Sequence, residues 1–579
     1  MASIQPRPAA SQATAAGKAD LAPPKVGGAS AAPQGAEAAL PLEPEGAPAA
    51  TGAPAEGEEG GDAPTRAFSP APSDPTERAR WLERELNAAV AARPALAGAK
   101  LGAIAVDLSS NVTLWQHQAE VPLSLASTAK LFTAAAALRA LGPGHVWRTA
   151  LYGEEAPGAT AEEERDDTIE TLYLRGRGDP GLDAAALRTL AIDLADRGIR
   201  RIRKQIVLDA SYFDDRFEPP HFDEQPKERA AFRSPVSGLS VNRNAVTLIV
   251  TPDPAGIREP TVRLEPAVDS YFEVISDELV ATPDGKTRIK IDVTAKKTKV
   301  ELRLSGQVRS DGPPFYRRVR IDDPVAFAGA TLRAALAERG IRAPSRISVG
   351  EVPEKARLLV AFDSPTLAEV VRRMNKTSDN FVAEVVFKTL GAGQRTTPGP
   401  ATWDDAAAGM RAFVASLGLP SPVRVDNGSG LFDASAASAS QVVALLGTAL
   451  RDFHIGPEFL ASLPIGGVDG TLQSRFRGRP AAGLVRAKTG TLAQVSALAG
   501  YVALRSDQVI GFAVLVNDLK PSQRREARAL QEDLVDVMAL YLGAPPAAAG
   551  APPAAAGAPP AAAGAPPAAA GAPPAAAPK

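Results

Sequence analysis

The feature that most restricts the fold is a change of periodicity part-way along the chain. From Val246 to about Gly306 nearly everything alternates, as in Arg288-Ile289-Lys290-Ile291-Asp292-Val293 and Val300-Glu301-Leu302-Arg303-Leu304. A period of two marks strands with one buried face. Asp284-Gly285 inside this block is a hairpin turn signal. Before it, 169–174 and 202–208 read as strands on either side of an amphipathic helix, 183–197, whose Leu187, Leu190, Ala191 and Leu194 share one face. Gly198 closes that helix. Asp323-Pro324 opens a further helix that ends at Gly340. Residues 151–354 are therefore expected to form one or two inserted β-rich modules.

The stretches on either side, 73–150 and 355–542, read differently. Ser73-Asp74-Pro75 is a helix start, followed by an apolar face of Leu82, Leu86, Ala89 and Val90. Two strands, 101–108 and 112–115, are joined by a turn at Ser109-Ser110-Asn111. After Lys130, Leu131, Ala134, Ala135, Leu138 and Leu141 recur at helical spacing. The helical pattern resumes at Ser364-Pro365, a cap and first turn, with Leu367, Val370, Val371 and Met374 on the buried side. A second helix covers 381–390. An antiparallel meander over 485–492, 496–504 and 509–516 precedes a last helix, 521–542. These two segments are expected to form one discontinuous α+β domain, an antiparallel sheet packed against helices.

Both ends of the chain lack the means to fold. Residues 1–72 are Ala, Pro, Gly and Glu with hardly any large apolar side chain, so burial cannot offset the entropy of ordering. Over 543–579, Gly-Ala-Pro-Pro-Ala-Ala-Ala repeats five times. The period of seven has no apolar seam and is broken by proline, so an extended spacer is expected rather than a coiled coil.

The formal net charge of -2 gives no general attraction to nucleic acid or to an acidic membrane surface. With no cysteine, disulfides, thiolate catalysis and cysteine-ligated metals are excluded. His117, His145, His221 and His454 are far apart and make no metal-ligand spacing, so no metal is expected. No apolar run reaches the roughly 18 residues of a membrane span. Met1-Ala2-Ser3-Ile4-Gln5-Pro6 lacks the basic and apolar segments of a secretory signal.

Ser127 and Lys130 stand three residues apart at the start of a helix, which brings an amine within reach of a hydroxyl. A serine needs a neighbouring base to become a nucleophile, and a desolvated lysine can be that base. With each residue at roughly 6 % of positions, about two such pairs arise by chance in a chain this long, so a capping serine and a solvated lysine are the alternative. Two further fragments follow in order. Ser378-Asp379-Asn380 lies between two helices, and Lys488-Thr489-Gly490 lies on the first strand of the meander. Ser378 can relay a proton to a leaving amine, and Asn380 can hold a substrate amide. Lys488 offers a fixed positive charge to a carboxylate, and Gly490 allows close backbone approach. The N–H groups of Ser127 and Thr491 suit a tetrahedral oxyanion. Ser-x-Asn also occurs at Ser109-Ser110-Asn111 and Ser240-Val241-Asn242, the first in a turn before the nucleophile and the second inside the insert.

The trio is the one shared by class A β-lactamases and penicillin-binding proteins. Around it the chain resembles the low-molecular-mass class C penicillin-binding proteins, the D-alanyl-D-alanine carboxypeptidase/endopeptidase family. The resemblance spans about 78–541. It is carried by Ser127-Thr128-Ala129-Lys130-Leu131-Phe132-Thr133, Gly178-Asp179-Pro180, Ser234-Pro235-Val236-Ser237-Gly238-Leu239-Ser240-Val241-Asn242, and Met374-Asn375-Lys376-Thr377-Ser378-Asp379-Asn380. Asp426-Asn427-Gly428-Ser429-Gly430-Leu431, Gly467-Val468-Asp469-Gly470-Thr471-Leu472 and Lys488-Thr489-Gly490-Thr491 also match. Phe432 departs from it, standing where a small polar residue is expected.

The resemblance implies a β-lactamase/transpeptidase-like fold with a large insertion. It implies Ser127, Lys130, Ser378 and Asn380 as catalytic residues, with Lys488, Thr489, Gly490 and Thr491 binding substrate and no cofactor. The implied substrates are peptidoglycan stem peptides, cleaved at D-Ala–D-Ala or at a D-Ala–diaminopimelate cross-link. β-Lactams would acylate the same serine. The implied location is periplasmic or cell-wall associated. A β-lactamase with the same machinery and a non-catalytic peptidoglycan-binding scaffold are the alternative readings.

Overall fold

The computed structural model describes residues 66–154, 167–224, 230–253, 259–296, 299–395, 398–419, 422–505 and 507–545. The tails expected over 1–72 and 543–579 lie outside them, apart from 66–72 and 543–545. Those first described residues are packed: Phe68 lies against the core, and Trp81 Nε1 donates to Ser69 Oγ at 3.1 Å. Structure thus starts ahead of Ser73.

Helix α1 (Pro75–Ala91) begins as the sequence predicts, with Asp74 accepting from the N–H groups of Thr76 and Glu77 and Pro75 in the first turn. Its buried Trp81, Leu82, Leu86 and Ala89 cover one face of a five-stranded sheet. That sheet runs Val485–Leu492, Val495–Arg505, Gln508–Asn517, Lys100–Asp107, Val112–His117, with every neighbouring pair antiparallel. Alternation sorts its side chains. Ala103, Ala105, Phe512 and Val514 join α1 and the helix Arg524–Tyr541. Ile104, Val106, Ala513 and Leu515 face the other way, onto α2 (Lys130–Leu141) and the helix Ala439–Arg451. Residues 130–138 of α2 are all buried, as expected of a helix that is apolar all round and central to its layer. Each wholly buried Leu or Phe contributes about 1.5–3 kcal/mol, against about 0–1 for an exposed ion pair, so packing orders these layers.

Between the two helical segments lies a second core. It gathers Leu151, Leu172, Leu208, Leu302, Leu304, Phe327 and Val360. Its five-stranded sheet runs Ile347–Val349, Arg201–Asp209, Thr168–Arg175, Arg148–Glu154, Arg357–Asp363. The strands Thr168–Arg175 and Arg201–Asp209 are parallel and are joined through α3 (Ala184–Asp196), which is capped by Asp183. Helix α4 (Pro324–Glu338) packs beside α3 in the same core. Two three-stranded sheets complete the region.

One of them corrects the expected hairpin at Asp284-Gly285. Gly285 has φ +101°, so the chain does turn there. The flanking strands Phe272–Thr282 and Arg288–Ala295 nevertheless do not pair. Val300–Arg309 lies between them, parallel to the first and antiparallel to the second. Its Leu302, Leu304 and Val308 are fully buried, and the middle of the sheet is where that burial is available. A turn signal fixes a local reversal but does not choose the partner.

The strand that leads into this region and the strand that leaves it lie side by side, with Arg148 opposite Asp363 and Leu151 opposite Val360. At their shared end Trp147 N–H donates to Ser364 Oγ (3.0 Å) and Ser364 N–H donates to Trp147 C=O (2.9 Å). Ser364 is therefore a clasp rather than the expected helix cap. The cap of α5 (Leu367–Thr377) is Thr366, in a capping box with Glu369. Helix α6 (Asn380–Gln394) follows after a two-residue break. Among the described residues no helix is long and apolar enough to cross a membrane.

Candidate active site

Ser127 lies in the 3₁₀ turn Ala126–Ala129, and Lys130 is the first residue of α2. The sequence predicts a first α-helical turn here. The tighter 3₁₀ turn eclipses residues i and i+3, and so stacks Lys130 over Ser127. Lys130 Nζ stands 3.0 Å from Ser127 Oγ. It also donates to Asn380 Oδ1 at 2.7 Å and to the Ser429 carbonyl at 2.9 Å. Lys130 is wholly buried, whereas Ser127 keeps 8 % of its surface, so the hydroxyl is the member of the pair that solvent reaches. Ala126, just before it, holds φ +46°. Gly430 packs against that residue so closely that a Cβ would fall 2.1 Å from Ala126 C=O.

The break between α5 and α6 supplies the second fragment. Ser378 ends α5 in the left-handed region at φ +59°, and Asp379 caps α6 by accepting from Val382 N–H at 3.0 Å. The reversal turns Ser378 toward the sheet edge, where Lys488 Nζ lies 2.8 Å from its Oγ. Lys488 is itself fully buried and donates to Thr489 C=O at 2.9 Å. Thr489 Oγ1 meets Thr471 Oγ1 at 2.9 Å. At Gly490 the close neighbour is the chain itself: a Cβ would lie 2.7 Å from Leu125 C=O and 3.1 Å from Thr128 N. The glycine lets the strand lie directly against the turn that carries Ser127. Thr491 continues the strand opposite Ser496. The structure thus brings Ser127, Lys130 and Asn380 into one hydrogen-bonded group and Ser378 and Lys488 into a second, the two joined through the Ser378–Asn380 loop, with Thr489, Gly490 and Thr491 on the adjoining strand.

Three contributors escaped the sequence reading as individual residues. Glu384 is fully buried and accepts from Gly428 N–H (2.8 Å) and Ser429 N–H (2.9 Å). Burial pushes its carboxyl pKa up, opposed by those hydrogen bonds and by the Lys130 charge. Its signal was present: a lone carboxylate in Phe381-Val382-Ala383-Glu384-Val385-Val386-Phe387, one turn beyond Asn380. Ser429 and Thr471 lie in runs that were noted only for their resemblance. Lys376 ties one of those runs in place through both oxygens of Asp469, at 2.9 and 2.6 Å.

A model of the D-Ala-D-Ala carboxypeptidase 3 (S13) family matches residues 82–538. The chain belongs to that family. It is accordingly a serine-type hydrolase of the DD-carboxypeptidase/endopeptidase class acting on peptidoglycan. Among its relatives, D-alanyl-D-alanine carboxypeptidase of Actinomadura sp. (strain R39) is 34% identical over 451 residues, 75% of this chain and 81% of that one. D-alanyl-D-alanine carboxypeptidase DacB of Haemophilus influenzae is 24% identical over 431 residues, covering 72% and 86%. The crystal structure of penicillin binding protein 4 (dacB) from H. influenzae shares the fold at TM-score 0.64 and 21% identity. It covers 77% of this chain and 97% of its own.

Proposed function

We propose that Ser127 is the nucleophile of a D-Ala-D-Ala carboxypeptidase/endopeptidase, activated by Lys130. The observation that carries this reading is the placement of Lys130 Nζ, held by Asn380 Oδ1 and Ser429 C=O while it touches Ser127 Oγ. A neutral amine donating to those two oxygens can accept the serine proton on its lone pair. Oγ then bonds to the carbonyl carbon of the stem peptide, and the N–H groups of Ser127 and Thr491 take the oxyanion. The C–N bond breaks as the leaving amine takes the proton that Lys130 removed, relayed through Ser378, whose hydroxyl Lys488 orients. Water adds to the resulting ester, releases the shortened peptide and restores the serine. Lys488, Thr489, Gly490 and Thr491 hold the substrate, Lys488 by its charge and the strand by its backbone.

The same proposal covers the arrangement of the chain and its location. Residues 73–147 and 364–542 make the catalytic unit, and 148–363 are an inserted module, a division supported by the separate core around Leu172 and Leu304. The strands Arg148–Glu154 and Arg357–Asp363 lie in the second sheet, so the expected bounds of 151 and 354 move outward to the Trp147–Ser364 clasp. A substrate in the cell wall puts the working enzyme in the periplasm or at the wall. β-Lactams, which present an amide carbonyl and a carboxylate, acylate Ser127.

Labelling by a fluorescent penicillin tests the assignment. The wild type is expected to give a stable covalent band that Ser127→Ala abolishes. A band that survives in Ser127→Ala places the nucleophile elsewhere. No band together with rapid loss of the antibiotic makes the protein a β-lactamase.

A further inference from the structure

We propose that Arg243, a residue of the insert, is a positioning residue for the Ser378–Asn380 loop and through it for acylation of Ser127. Arg243 NH1 meets Asp379 Oδ2 at 3.1 Å, with only 7 % of the Asp379 side chain exposed. The other carboxylate oxygen, Oδ1, holds the start of α6 through Val382 N–H. Asp379 is thus fixed from two directions, and its chain neighbours are the two side chains that touch the lysines. Ser378 Oγ lies against Lys488, and Asn380 Oδ1 accepts from Lys130. A shift of the Asp379 carboxylate moves both of them.

The insert is built to hold Arg243 out toward this loop. Asn242, Arg243 and Asn244 all lie in the left-handed region, at φ +54°, +57° and +49°. Such residues normally occur singly, and only asparagine among these tolerates the conformation readily. The two asparagines are anchored inside the insert. Asn242 Oδ1 accepts from Ala184 N–H at the start of α3 (2.8 Å). Asn244 is wholly buried and donates to Pro235 C=O (2.7 Å) and Ser240 Oγ (2.9 Å). Arg243, between them, points away from that support and reaches the catalytic loop. A backbone strained over three residues and braced on both sides aims one guanidinium at Asp379, which is where strain serves a site.

The inference rests on Ser127 being the nucleophile, and the experiment separates the two ideas. Acylation by a fluorescent penicillin is followed in time for the full chain carrying Arg243→Met, Arg243→Lys, Asp379→Asn or the Met/Asn pair, with kcat and KM on a D-Ala–D-Ala peptide and Tm beside them. Asparagine keeps the helix cap through its oxygen and turns an NH₂ toward Arg243, which breaks the ion pair without removing the side chain. Arg243→Met is expected to slow acylation about 10- to 100-fold, the scale of a small displacement of positioned groups. The loss is expected in kcat, with KM changed less than about 3-fold and Arg243→Lys recovering most of it. The double variant is expected to be no slower than the worse single one. Wild-type acylation in both Arg243→Met and Asp379→Asn overturns the proposal, as do effects that simply multiply in the pair. Should Arg243→Met fail to fold, Arg243→Lys and Asp379→Asn decide by the same readouts. A label that survives Ser127→Ala overturns the nucleophile assignment instead.

Discussion

At the scale of single residues, the placement of Lys130 depends on buried groups outside the fragments that the sequence singles out. Glu384 is the clearest. Its two oxygens hold the N–H groups of Gly428 and Ser429, and the Ser429 carbonyl holds Lys130. In Glu384→Gln one oxygen becomes an NH₂ that faces an N–H donor. The variant is expected to lose about 1–3 kcal/mol in urea unfolding and to acylate more slowly. Unchanged stability and labelling rate would show that the loop holds itself. Ser127, Lys130, Ser378, Asn380 and Lys488 were legible because each belongs to a short fragment with its own chemistry. Arg243 and Thr471 were not, because their significance is a contact across the fold; Glu384 signalled itself as a lone carboxylate in an apolar helix, but its partners lay elsewhere in the chain. Glu384 reaches a loop about forty-five residues away, and Arg243 reaches 136 residues along the chain to Asp379.

At the scale of elements, local chemistry predicted where helices begin and strands run better than it predicted what they meet. Asp74, Asp183 and Asp323 all cap the helices that follow them. Ser364 misled because serine before proline looks like a cap, while its hydroxyl is spent on Trp147 and Thr366 does the capping. The clasp gives a comparison. Ser364→Ala strands the buried Trp147 N–H and is expected to cost about 1–3 kcal/mol. Asp363→Ala removes the two-pronged pair with Arg148, both partners well exposed, and is expected to cost no more than about 1 kcal/mol. Urea denaturation of the two variants checks the order. A larger loss for Asp363→Ala would mean that the surface pair, rather than the clasp, secures the junction.

At the scale of the whole molecule, the α+β class and the two characters of chain were legible from periodicity alone. The pairing order was not, because period two says which face of a strand is buried and nothing about its neighbour. The strand Lys100–Asp107 shows the distance involved: its Ile104 pairs with Ala513 of the central strand, Gln508–Asn517. The adjacent ends of the intervening region have a kinetic meaning. Closing a loop costs entropy that grows with the logarithm of its length, about 0.6 kcal/mol for each doubling. A region that folds on its own core draws Trp147 and Ser364 together and removes itself from the loop that the outer segments must close. In refolding followed by pulsed hydrogen exchange, the amides of Leu172 and Ile206 are expected to become protected before those of Ile104 and Ala513. The reverse order would refute it. During synthesis the turn bearing Ser127 leaves the ribosome well before Lys488, so a growing chain carries that serine without the partner side of its cluster until the three strands Val485–Leu492, Val495–Arg505 and Gln508–Asn517 have been made.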